Sequence, residues 1–294
     1  MSERELGRDA TVAEVIVVAC SASVERLLAH EDGVRRGDDP EDVHQARVAT
    51  RRMRSDLRTF ADFVFDPWAT DLRGELRWLG GELGAVRDVE VLRDRLRDHA
   101  RMLPDDARPA AEHVIRRLDD EWERERAQLL ETLASTRYEA LRDLLVVAAA
   151  RPRCTTWANL HAVDVLPRIV DRRWRKLDRG VSAIGEPPTD AALHEVRIRA
   201  KRARYATEAA SPVFTKPARA LARAFAAIQD VLGEHQDAVL ARAWLHKAAT
   251  ESSPTEAFAV GGLAQIEIDA ARAARAQFPE VWAAARAPKL RAWL

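Results

Sequence analysis

Aromatic residues are few, 6% of 294. Two cysteines, Cys20 and Cys154, are all the chain has. They form no CxxC pair and no disulfide framework of the kind that staples small secreted chains, so both are expected to stay reduced. Long apolar runs are missing as well. VIVVAC at 15–20 and LLVVAAA at 144–150 are too short to span a bilayer. The charged start, MSERELGRDATVAEV, lacks the layout of a signal peptide. These absences predict a soluble, cytoplasmic protein with no membrane partner. Net charge is absent too: Lys plus Arg and Asp plus Glu each number 47. Overall charge therefore points to no polyanion partner, and only local clustering of cations could.

What the chain has is helical periodicity. No window sustains a two-residue alternation, and Gly and Pro gather mostly at joints. The pattern predicts an all-α fold with helices near 10–30, 40–64, 68–102, 105–132, 135–150, 160–180, 189–210, 216–249 and 255–277, and a short one near 280–287. Gly80-Gly81 interrupts an otherwise strong helix pattern, at a cost of about 1 kcal/mol per glycine relative to alanine. Close approach of another helix, or a bend, would explain it.

The stretch DDPEDVHQARVATRRMRSDLRTF, 38–60, is the most informative. Asp39 can cap a helix whose first turn holds Pro40, Glu41 and Asp42. At 100° per residue His44, Arg47, Arg51, Arg54 and Arg58 share about a quarter of the circumference, while Ala46, Met53, Leu57 and Phe60 occupy a different side. VHQARVATRRMRS at 43–55 lies over LHEVRIRAKRARY at 193–205, an offset of 150. His44 meets His194, Arg47 meets Arg197, Arg51 meets Lys201, Arg52 meets Arg202 and Arg54 meets Arg204. LGAVRDVEVL at 83–92 matches LGEHQDAVLA at 232–241 at an offset of 149. Two matches at nearly constant offset predict a duplicated helical unit: residues 1–150 and 151–294 as two bundles related by pseudo-twofold symmetry, with a basic groove between them.

Charge runs usually form solvated faces. Here Asp56 alone opposes the arginines between 44 and 58, and Glu195 alone opposes Arg197, Arg199, Lys201, Arg202 and Arg204. A site for an extended polyanion fits this better. Three roles compete for the paired histidines: metal ligand, phosphorylated nucleophile and anion-facing hydrogen-bond donor. Surrounding arginines repel a cation, which favours the donor. A structural hydrogen bond to the other repeat is the alternative. Asp88 and Asp237 recur symmetrically and are expected to pair with arginines of the basic stripe or cap neighbouring structure. Arg173 or Lys176 is a candidate to line the same groove. Arg116, Arg117, Arg124 and Arg126, interleaved with acids, read as surface pairs. Trp68, Trp78, Trp122, Trp157, Trp174 and Trp244 read as packing or boundary residues.

DPEDVHQARVATRRMRS, ALHEVRIRAKRARY and the LGAVRD and LGEHQD segments resemble the CHAD (conserved histidine α-helical domain) family, over about residues 8 to 287. The resemblance implies two similar helical bundles, a basic groove or central channel, binding of inorganic polyphosphate and association with polyphosphate granules. By motif match it assigns His44, Arg47, Arg51, Arg52, Arg54, His194, Arg197, Lys201, Arg202 and Arg204 to contact or flank the phosphate chain. Two positions depart: Arg58 has Glu208 as its counterpart, and Arg87 has Gln236. No catalytic residue, metal site or cofactor is expected, and the protein reads as a binding module rather than an enzyme. Sparse aromatics in the basic helices favour polyphosphate over nucleic acid, whose single strands are usually held on stacking rings. A metal-dependent polyphosphate or phosphoester hydrolase and a nucleic-acid-binding protein are the alternatives.

Overall fold

The computed structural model describes residues 5–294. They form an all-α fold: α1 (Val12–Arg36), α2 (Pro40–Thr59), α3 (Asp66–Ala100), α4 (Arg108–Ile115), α5 (Arg117–Leu133), α6 (Thr136–Ala150), α7 (Ala162–Ser182), α8 (Asp190–Ala209), α9 (Ser211–Thr250) and α10 (Pro254–Ala285). Among the described residues no helix is long and apolar enough to cross a membrane. Two isolated β-bridges, Thr11–His161 and Val64–Cys154, tie the 151–161 connection to earlier parts of the chain.

The helix ends follow local chemistry. Thr11 and Glu14 form a capping box at the start of α1, and Ser253 and Glu256 form another at α10. α1 closes on Gly37, whose φ of 77° only glycine adopts readily. Asp39 accepts from the Glu41 amide at 2.8 Å, with Pro40 in the first turn of α2, as its sequence predicts.

Packing repeats along the chain. α1 packs on α2 and α2 on α3; later, α7 packs on α8 and α8 on α9. α5 lies against α3, α6 against α1, and α10 along α9. α2 also meets α8, so the two basic helices are neighbours in space. The main hydrophobic core takes side chains from both halves, among them Leu57, Leu72, Leu83, Leu193, Phe225 and Leu232. Each such buried side chain contributes about 1.5–3 kcal/mol. Trp174 is buried and stacks on Phe225 at 6.0 Å and on Trp282 at 5.4 Å, whereas Trp157 is exposed. A second core joins the ends of α3 and α9 to α4 and α10. Beside it the fully buried Glu267 of α10 binds Arg95 and His99 of α3, each at 2.8 Å, and Arg95 also holds Glu234 of α9.

Several boundaries differ from expectation. The helix expected over 105–132 is two, parted at Arg116. The helices expected at 255–277 and 280–287 are one, α10, which continues through Pro279. α9 begins at Ser211 and runs through Pro217, and Phe214 takes a non-helical φ/ψ of −104°/33°. Gly80 does lie close to α2: a β-carbon there would sit 3.2 Å from Thr50 Oγ1, while at Gly81 it would meet nothing. Arg117 and Arg126 do more than the surface pairing their sequence predicts, although Arg117 does pair with the exposed Glu251 at 3.7 Å. Arg126 donates to the Val34, Arg35 and Arg36 carbonyls at the end of α1, and Arg117 to those of Ala248 and Glu251 at the end of α9. Unpaired carbonyls at a helix C-terminus accept hydrogen bonds from cationic side chains.

Candidate anion-binding site

α2 and α8 bury matching faces. Val43, Ala46, Ala49, Met53 and Leu57 are buried on α2, and Leu193, Val196, Ala200, Ala203 and Ala206 on α8. Capping by Asp39 and by Thr189 fixes where each helix starts, and with it the direction of every side chain. Arg47 passes over Gly84 of α3, and Arg197 passes over Gly233 of α9. The Nε atoms lie 3.5 and 3.7 Å from where a β-carbon would stand. The duplicated Leu-Gly segment and the duplicated basic helix are thus two sides of one contact.

Arg47, Arg51, Arg197 and Lys201 gather where α2 meets α8. Burial first, then Arg197, Arg51 and Arg47, push the Lys201 amine down to about 7, with Asp237 opposing. Burial and the nearby arginines also lower Arg197, again against Asp237. Its Nε is buried with no protein partner. Arg51 donates from Nε to the Tyr205 hydroxyl at 2.9 Å. Arg47 pairs with Asp88 at 2.9 Å, as the recurrence of that aspartate leads one to expect. Burial raises the Asp237 carboxyl, with Arg197 pulling it back. Among the described residues, Arg51, Arg197 and Lys201 form no ion pair with a carboxylate.

The two histidines end the stripe differently. Burial lowers His44; Glu41 opposes, and Arg87, Arg51 and Arg47 add to the fall. His194 Nδ1 lies 2.6 Å from the Gln236 Oε1. An amide oxygen only accepts, so in this arrangement Nδ1 carries the hydrogen. The structural bond is to α9 of its own half, not to the other repeat. Among the described residues no group of three or more His, Cys, Asp or Glu side chains is placed to hold a metal ion.

Arg52 and Arg204 each have carboxylate partners. Arg52 turns to Asp56 at 3.1 Å and to Glu208 of α8, and lies over the Tyr205 ring at 5.4 Å. Arg204 donates from Nε to Glu208 at 2.6 Å. Arg52 thus joins α2 to α8 through Glu208, whereas the Arg204–Glu208 pair lies within α8. Burial raises the Asp56 carboxyl to about 6, against the pull of Arg52. Such a half-buried network is costly to break because a charge would be left unpaired.

Arg54 and Arg202 stand apart from the central group. Arg54 lies beside Arg58, Arg73 and Arg77, and Arg202 beside Arg58 and Arg173. Arg73 and Arg77 of α3 were not singled out by sequence. The available signal was the register of α2 against α3, which the two glycines mark. Arg173, one of the two α7 candidates, does join the basic surface, donating to the Arg58 carbonyl at 3.4 Å.

The chain is similar to known proteins in family and in fold. A family model for the CHAD domain matches residues 19–246. Two uncharacterized proteins of Mycobacterium tuberculosis, from strains CDC 1551 and H37Rv, are each 32% identical over 275 residues, covering 88% of this chain and 50% of theirs. The chain thus spans about half the length of the curated relatives it matches. Among solved structures, the fold is similar to the CHAD domain from the plant Ricinus communis, with TM-score 0.78 and 26% identity, covering 97% of this chain and 95% of that one. It is also similar in fold to PptA from Streptomyces chartreusis, with TM-score 0.76 and 24% identity, covering 93% of this chain and 100% of that one. Duplicated basic helices that meet across glycine-bearing partners, in a chain matched over these residues, make this protein a member of the CHAD domain family.

Proposed function

We propose that this protein binds inorganic polyphosphate through its paired basic helices and acts as a binding module, not a catalyst. The observation that carries the reading is the convergence of Arg47, Arg51, Arg197 and Lys201 from both copies, with three of the four lacking a carboxylate partner. Cations held together on rigid helices repel until an anion lies among them. A chain of phosphates supplies negative charge at every repeat, and its neutralisation releases counterions.

The rings near the site favour a polyanion without bases. Tyr205 is buried, its hydroxyl held by Arg51 and its face covered by Arg52, and Phe60 is buried in the core. Neither offers a free face for base stacking, which single-stranded nucleic-acid sites commonly use. On this reading the protein works in the cytoplasm at polyphosphate granules. Competition binding at moderate salt tests it. Long-chain polyphosphate should displace a labelled polyphosphate probe far better than orthophosphate or random-sequence RNA does. Equal displacement by RNA would overturn the reading.

A further inference from the structure

Arg58 and Glu208 hold equivalent positions in the two basic helices. α2 packs against α8, which lets two equivalent junctions be compared. Arg52 pairs with Glu208, while Arg58 lies beside Arg202, the counterpart of Arg52. One junction is an ion pair, and its mate is two like charges.

The same imbalance continues onto α3. Arg47 lies over Gly84, and Thr50 and Arg54 lie against Gly80, so α2 and α3 run antiparallel. Extending that register brings Arg77 opposite Arg54 and Arg73 opposite Arg58. The electrostatic neighbours agree: Arg54 is perturbed by Arg77, Arg58 and Arg73, and Arg58 by Arg202, Arg73 and Arg77. At the offset of 149 that relates Gly84 to Gly233, the counterparts of Arg73 and Arg77 are Ala222 and Ala226. α7 supplies Arg173, bonded to the Arg58 carbonyl. Among the described residues, Arg54, Arg58, Arg73, Arg77, Arg173 and Arg202 form no ion pair with a carboxylate. Each is half-buried or exposed, and the buried Nε of Arg73 has no protein partner.

We propose that these six arginines form a second anion-binding segment, continuous with the central site on the α3–α7 side only, which holds the continuation of a phosphate chain too long for the centre. This rests on the polyphosphate reading above. Glu208, Ala222 and Ala226 close the opposite side, so a long chain leaves the centre in one direction. Affinity therefore grows with chain length beyond what the central cations can span.

Titrations of the full chain with tripolyphosphate and with long-chain polyphosphate test this. In wild type the long chain should bind more tightly per molecule. Arg73→Ala with Arg77→Ala should weaken long-chain binding about tenfold and make its salt dependence shallower by about one to two phosphate contacts, while tripolyphosphate affinity stays the same. Unchanged long-chain affinity in the double variant overturns the second segment, as does equal weakening of both ligands. So does a wild-type affinity that does not rise with chain length, a measurement independent of whether the variant folds. Failure of wild type to bind either ligand removes the central reading instead, and this proposal with it.

Discussion

Arg51 and Lys201 hold equivalent positions in the two basic helices and lie beside each other, cation against cation. Arg197 flanks Lys201 on its own helix, Arg47 approaches from α2, and Asp237 opposes them from α9. In the free protein the Lys201 amine titrates near 7, well below its ordinary 10.5.

Bound phosphate should reverse that shift, because a nearby anion favours the ammonium form. Binding at pH 8 should therefore take up protons, and affinity should fall as pH rises above about 7. Calorimetric titrations in buffers of different ionisation enthalpy measure the uptake, which Lys201→Met should abolish. Without ligand the sign for stability is opposite to that of a favourable pair. The folded value lies below the unfolded one, so the folded state holds fewer protons between about 7 and 10.5, and stability from this group rises with pH across that window.

Glu208→Gln separates scaffold from site. Arg52 keeps Asp56, but Arg52 and Arg204 both lose the charge of their shared partner and the α2–α8 link weakens. The side chain of Glu208 is 23% exposed, so the loss should be about 2 kcal/mol in denaturant unfolding, below the cost of opening a fully buried pair. Polyphosphate affinity should hold or rise, since one negative charge is removed beside the cations.

Gly80 and Gly81 should respond differently to alanine. At Gly81 the new methyl group meets open space, and the gain in helix propensity should stabilise the fold by about 0.5–1 kcal/mol. At Gly80 it would press on the buried Thr50, whose hydroxyl already donates to the Arg47 carbonyl, so the gain should be smaller or reversed. Urea unfolding of the two variants side by side reads the difference.

These contrasts mark what sequence could resolve. The start of α2 was legible because its cap, proline and acidic turn are local. The duplicated histidine helix was legible because two motifs recur at one spacing. The motif match sets Arg52 to contact or flank the ligand; it stands about 100° around the helix from Arg51 and pairs with Asp56 and Glu208. Arg204 shares the basic stripe but has Glu208 four residues on, an ordinary helical pair. Arg73 and Arg77 were hidden for a different reason. Their place beside Arg54 and Arg58 depends on the register between α2 and α3, which is set by packing and not by either helix alone. The break at Arg116 and the passage of α10 through Pro279 were likewise settled by tertiary packing against local preference.

Both basic helices build the proposed site, so both should be changed together. Long-chain polyphosphate should be titrated at fixed salt into wild type and into Arg51→Glu with Lys201→Glu, with circular dichroism confirming equal helicity. Two cations become two anions at the meeting point of α2 and α8, and binding should fall by at least about a hundredfold. Unchanged affinity in a folded double variant would contradict the account and place the site elsewhere.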